Sequence, residues 1–160
     1  MIARRAASVI LAGALALGMS GCSFIATQAT LIPYQPSDGI GAQVGDVKAR
    51  NVLGLSADGT DVAIVMTLVN SGERTIVNLQ YTDADGEKQT ESIFAGEGTT
   101  SIGNLEDDKL ILSNVDVTVG GRLAVYLQTG SAQGEGILVP VMDGTLPEYE
   151  PLLPPVAEAE

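Results

Sequence analysis

Residues 61–70, Asp-Val-Ala-Ile-Val-Met-Thr-Leu-Val-Asn, constrain the fold of this chain more than any other stretch. In an extended chain Val62, Ile64, Met66 and Leu68 fall on one side and Ala63, Val65, Thr67 and Val69 on the other. Both sides are apolar. Such a strand belongs in the middle of a sheet with something covering each face. Further β-rich runs occupy residues 44–55, 74–82, 87–94, 99–102, 109–112, 116–119, 122–129 and 137–142. Turn signals separate them, among them Asp58-Gly59, Asn70-Ser71-Gly72-Glu73, Asp83-Ala84-Asp85-Gly86 and Gly120-Gly121. Residues 61–70 and 74–82 are expected to form a hairpin. Residues 87–94, with Ile93 and Phe94 as their buried end, are expected at an edge. Residues 137–142 close the fold, with Pro140 near their end where a missing donor matters least. Seven or eight short strands in about 100 residues predict an all-β fold, an immunoglobulin-like β-sandwich.

Ahead of this region the chain begins with Arg4 and Arg5, continues with an uncharged run of mostly Ala, Val, Ile, Leu and Gly, and reaches Leu17-Gly18-Met19-Ser20-Gly21-Cys22. A basic start, an apolar stretch and small residues before a scissile bond make a secretory signal peptide. The run is shorter than the ~20 residues of a bilayer-spanning helix, and no basic stop-transfer cluster follows it. Residues 17–22 resemble the bacterial lipobox, which implies a diacylglyceryl group on the Cys22 sulfur and cleavage just before it. Cys22 is the only cysteine, so it cannot form an internal disulfide, and acylation accounts for the otherwise free thiol.

Removal of residues 1–21 leaves six basic against 20 acidic side chains, a net charge of −14. That surface repels nucleic acid phosphates and anionic headgroups, so nucleic acid is excluded as a partner and the membrane must hold the protein through lipid on Cys22. Residues 22–43, with Pro33, Pro36, Gly39 and Gly41, read as a flexible tether with an end-to-end distance of roughly 25 Å. Residues 44–142 form the sandwich domain. Residues 143–160, with four prolines and an Ala-Glu end, read as a mostly disordered tail, in which Leu146 and Tyr149 are the residues most able to dock.

The lipobox, residues 34–47, Arg50-Asn51-Val52-Leu53 and residues 139–149 together resemble a group of small actinobacterial lipoproteins of unknown function, some of which carry a transferred DNA modification methylase label. Nothing in this acidic chain fits that label. Its nearest approach to a methylase motif is Leu153-Pro154-Pro155-Val156. The group is more distantly similar to periplasmic copper chaperones, small β-sandwiches that hold Cu(I) with Met and His. That site does not carry over: the chain has no histidine, and the mature part offers only Met66, Met142 and Cys22 as soft donors. Met66 is expected in the core.

Other chemistry finds no complete motif. Asp83-Ala84-Asp85-Gly86-Glu87 begins like a calcium loop but lacks its later ligands. Glu106-Asp107-Asp108 reads as a solvated loop. Gly130, Gly134 and Gly136 precede neither a Lys-Ser/Thr pair nor a helix. A serine nucleophile would have no histidine to activate it. The expectation is therefore a non-catalytic lipoprotein on the extracytoplasmic face of the cell membrane, with no cofactor and no metal site. Its sandwich would act as an interaction or envelope-structural module for a protein or wall partner. The alternative is a small-ligand or metal-ion carrier.

Overall fold

The computed structural model describes residues 2–19, 36–103 and 109–155, and the chain divides into two compact units, residues 1–34 and 35–160. The first unit carries one helix, α1 (Ile2–Met19). No described helix is long and apolar enough to cross a membrane. Cys22, most of the expected tether and the Glu106-Asp107-Asp108 loop lie outside the described residues.

Among the described residues nine strands build the second unit: β1 (Ile40–Val44), β2 (Val47–Leu55), β3 (Val62–Asn70), β4 (Thr75–Thr82), β5 (Lys88–Ala95), β6 (Gly98–Ile102), β7 (Leu110–Leu112), β8 (Arg122–Thr129) and β9 (Glu135–Met142). One layer contains β1, β2, β3, β6 and β7; the other runs β5-β4-β8-β9. The layers join where the last residues of β9 pair parallel with β2, Gly54 opposite Val141 and Leu55 opposite Met142. The other pairings among these strands are antiparallel. Between the layers lies one apolar core, to which Val47, Ile64, Met66 and Leu68 contribute from the first and Val77, Leu79, Leu127 and Val139 from the second. The all-β sandwich expected from sequence is present, with nine strands in place of seven or eight.

Several local expectations are corrected. Residues 44–55 are not one run: Gly45 and Asp46 form a two-residue turn between Val44 and Val47, with Gly45 at φ 57°, a conformation glycine adopts without steric cost. β1 starts at Ile40, inside the stretch read as tether. Residues 116–119 form no strand, although the Val115 and Val117 amides donate to the carbonyls of Thr60 (2.7 Å) and Gly59 (3.2 Å). β3 and β4 form no hairpin, because their link carries the chain from one layer to the other. Asn70, 4% exposed, fixes that arch. Its Nδ2 donates to the carbonyls of Glu73 (2.8 Å) and Ala95 (3.3 Å), and its Oδ1 accepts from the Gly72 amide (3.0 Å).

β3 does lie centrally, between β2 and the β6/β7 pair. Its second face is partly covered by the segment that sequence read as a disordered tail. A bulge between Arg50 and Leu53, with Asn51 at φ 51°, shifts the phase of β2. Val52 therefore joins the core between the layers, while Leu53 and Leu55 share the outer side with Ala63 and Val65. Leu53, Leu55 and Ala63 are nevertheless buried. Residues 143–155 run along this side and end in the short 3₁₀ turn Glu150–Leu152. Leu152 and Glu148 border a cleft with Val65 and Thr67, and Lys109 Nζ donates to the carbonyls of Pro151 (3.0 Å) and Leu153 (2.8 Å). Pro154 is buried. Tyr149 docks as expected, but Leu146 stays exposed.

The Tyr149 hydroxyl donates to Asp38 Oδ2 at 2.5 Å. That bond, helped by partial burial and by the charges of Asp38 and Glu148, pushes the phenol up to about 12 from 10.0. Its neutral form is favoured in the folded state, so the contribution is complete below pH 10 and is lost as pH rises from 10 towards 12. Between those values the melting temperature of the natural protein should fall more steeply than that of Tyr149→Phe. Tyr81, whose phenol burial also raises, is common to both proteins. Equal slopes would show that the Tyr149–Asp38 bond does not form in solution.

Candidate interaction face

Charge is segregated in the sandwich. Among the described residues only Glu91 and Glu135 are acidic residues within strands. Both lie on the inner side, Glu91 opposite Leu79 and Glu135 opposite Leu127, and Glu135 Oε2 accepts from the Gln43 amide at 2.7 Å. The other described carboxylates of the second unit sit in turns, loops and the C-terminal segment. The outer side of the β5-β4-β8-β9 layer therefore bears no carboxylate on its strands.

Its cross-strand pairs set out what it does bear: Ile76 beside Phe94, Asn78 between Ser92 and Gln128, Gln80 between Thr90 and Tyr126, and Thr82 beside Lys88. Ala124 lies opposite Leu138, and Arg122 opposite Pro140. Ile76 (44% exposed), Phe94 (57%), Tyr126 (38%) and Leu138 (52%) project into solvent. The Tyr126 ring lies against Gly134, where any Cβ would collide with it. Beside it Gln80, Thr82, Lys88, Ala124 and Tyr126 outline an open groove of about 410 Å³. Ile76 and Phe94 lie at one end, Lys88 and Arg122 at the other, and amides, hydroxyls and the Tyr126 ring lie between.

Sequence reasoning missed this face. Ile93 and Phe94 were both expected to be buried; Ile93 is, whereas Phe94 is 57% exposed. The signal was available in the alternation of β8 and β9. Leu123, Val125 and Leu127 point inward, as do Ile137, Val139 and Val141, which leaves Tyr126 and Leu138 out of phase and outside.

The residues considered for chemistry lie apart. Met66 is shut in the core at 2% exposure. Met142 is partly buried at the end of β9, beyond β2. Two strand spacings of ~4.8 Å and a three-residue offset at ~3.3 Å each put their Cα atoms on the order of 14 Å apart, too far to share an ion. In the β4–β5 turn, Asp83 Oδ1 accepts from the amides of Asp85 (3.1 Å) and Glu87 (2.8 Å), and Oδ2 accepts from Gln89 Nε2 (2.7 Å). The Gln89 bond first, and then the turn amides, hold the Asp83 carboxyl below its usual range. These donors take up the oxygens that a calcium ion would use. Among the described residues no three of His, Cys, Asp and Glu group as metal ligands. Gly130, Gly134 and Gly136 lie in the β8–β9 connection or the start of β9, with no helix following.

No protein-family model matches the chain, and no curated protein is significantly similar to it. Solved structures are. The chain is similar to PCuAC domains. The copper-bound PCuAC domain from PmoF2 aligns with 65% of this chain and 98% of its own length, at 17% identity and a TM-score of 0.49. The apo PmoF2 PCuAC domain aligns with 67% and 98%, at 16% identity and a TM-score of 0.47.

Proposed function

We propose that this protein is a non-catalytic binding module, held by lipid on Cys22 at the extracytoplasmic face of the membrane, that engages its partner through the outer side of the β5-β4-β8-β9 layer. The observation that carries the reading is the grouping of Ile76, Phe94, Tyr126 and Leu138 on an acid-free sheet face of a strongly acidic chain. Interface centres are depleted in charge and enriched in aromatic residues in the same way. A photo-crosslinking residue at position 126 or 138 of the membrane-held protein should give discrete adducts, whereas one at position 118 or 131 should not. Indiscriminate adducts from all four positions would overturn the reading. For the anchor, Cys22→Ser should leave uncleaved precursor or released protein without fatty-acid label. Full processing, labelling and membrane retention of that variant would sink the lipid assignment.

The second reading is a small-ligand or metal-ion carrier. The similar PCuAC domain from PmoF2 favours it, since copper is bound in that domain. What bears on it here is the donor set. Met142 is the more accessible of the two described mature-chain thioethers, and two-coordinate or higher Cu(I) would have to recruit donors from outside the described residues. Calorimetric titration of the mature protein with Cu(I), Zn(II) and Ca(II) separates the two readings. Binding no tighter than ~10⁻⁴ M is expected for calcium at exposed carboxylates, and none at micromolar concentration for the soft ions. Stoichiometric micromolar Cu(I) binding would establish the carrier and displace the first reading.

A further inference from the structure

We infer that the occupant of this face is a second copy of the same chain, an inference that rests on the interaction-module reading above and names its partner. Like charge keeps copies of this strongly acidic protein apart, so the surface on which two can meet is one from which carboxylates are missing. Two broad outer faces meet that condition on their strands. The first, over β3, is partly roofed by residues 148–153 of its own chain. The second, over β5-β4-β8-β9, is open and holds the exposed apolar side chains of the strands. Its chemistry is also self-complementary. Lys88 and Arg122 mark one end, and the Ile76–Phe94 pair marks the other. A two-fold axis lying in the interface and running across the strands sets the cationic end of each copy over the aromatic end of its mate. Cation then meets ring instead of cation.

Size sets the strength. Four strands ~4.8 Å apart and about eight residues long at ~3.3 Å each outline roughly 500 Å², which is small for an obligate dimer and suits a weak, reversible one. Because repulsion between the acidic bodies opposes the contact while apolar burial drives it, added salt should strengthen association by screening.

The test uses the full-length chain in membranes, whose only natural cysteine is Cys22. Tyr126→Cys, level with the middle of the face and so near the axis, should yield disulfide-linked homodimers on mild oxidation, about tenfold above Thr118→Cys, Ser131→Cys and the natural protein, a ratio equivalent to ~1.4 kcal/mol. Adding Phe94→Asp to Tyr126→Cys should return the yield to the level of the controls, and raising salt should increase the yield of the parent variant. Equal dimer yields at all positions, or none at 126, would overturn the inference. Photo-adducts at 126 and 138 that contain only a different protein would also overturn it while leaving the binding-module reading standing. Failure of that reading would show instead as indiscriminate adducts from every position.

Discussion

A chain ending at Met142 should be less stable than the complete protein by about 3–6 kcal/mol in denaturant melts, a larger effect than any single surface substitution. Leu53 and Leu55 are fully buried on the side of the first layer that faces away from the main core. Glu148 and Leu152 border Val65 and Thr67 on that same side, and exposing two buried leucines there costs about 1.5–3 kcal/mol each. The deleted segment also supplies the carbonyls that bind Lys109 and the hydroxyl that binds Asp38. A disordered tail would give no change on deletion. An unchanged midpoint would therefore remove the cover from this account, whereas increased binding of a hydrophobic dye by the shortened chain would confirm which surface it hides.

Met66→Ala is the second large effect, at about 2–5 kcal/mol, because the thioether fills space between the layers and leaves a cavity when removed. Val65→Ala, its neighbour on the opposite side of β3, should cost only about 1 kcal/mol, since Val65 is half-buried beside the C-terminal segment. The two substitutions also differ in their coupling to that segment. In the chain ending at Met142, the cost of Val65→Ala should shrink while that of Met66→Ala persists, a non-additivity of the sort that double-mutant cycles measure. Equal costs for both residues in both backgrounds would mean that the two sides of β3 are covered alike.

The requirement that β3 be covered on both sides was legible from residues 61–70, and so was the sandwich. The identity of one cover was not. Periodicity reports regular elements, and residues 143–155 dock through irregular contacts, two carbonyls on Lys109 and a phenol on Asp38, that leave no repeating mark. Asn70-Ser71-Gly72-Glu73 suits a hairpin and an inter-layer arch equally well. The choice is made by the burial of the Asn70 amide against Ala95, a contact 25 residues away in sequence. The bulge at Asn51 reverses which β2 side chains face the core, and a single polar residue in an apolar run does not announce such a reversal. For the candidate face, the alternation of β8 and β9 was readable, but its consequence for Tyr126 and Leu138 needed the neighbouring strands to show that no carboxylate accompanies them.

The Tyr149–Asp38 bond has a mechanical meaning. If the chain is tethered upstream, a pull on the folded unit enters at residues 36–39, just ahead of β1. The hairpin of β1 and β2 presents its open end to that pull, a geometry in which ladder bonds break in succession instead of sharing the load. Asp38 is clamped by Tyr149 at the point where the force arrives, and the clamped segment is itself fastened at Lys109. Tension is thereby diverted from the β1–β2 ladder towards β7 and the far end of the chain. In single-molecule stretching through the N-terminus, Tyr149→Phe should lower the force of the first rupture.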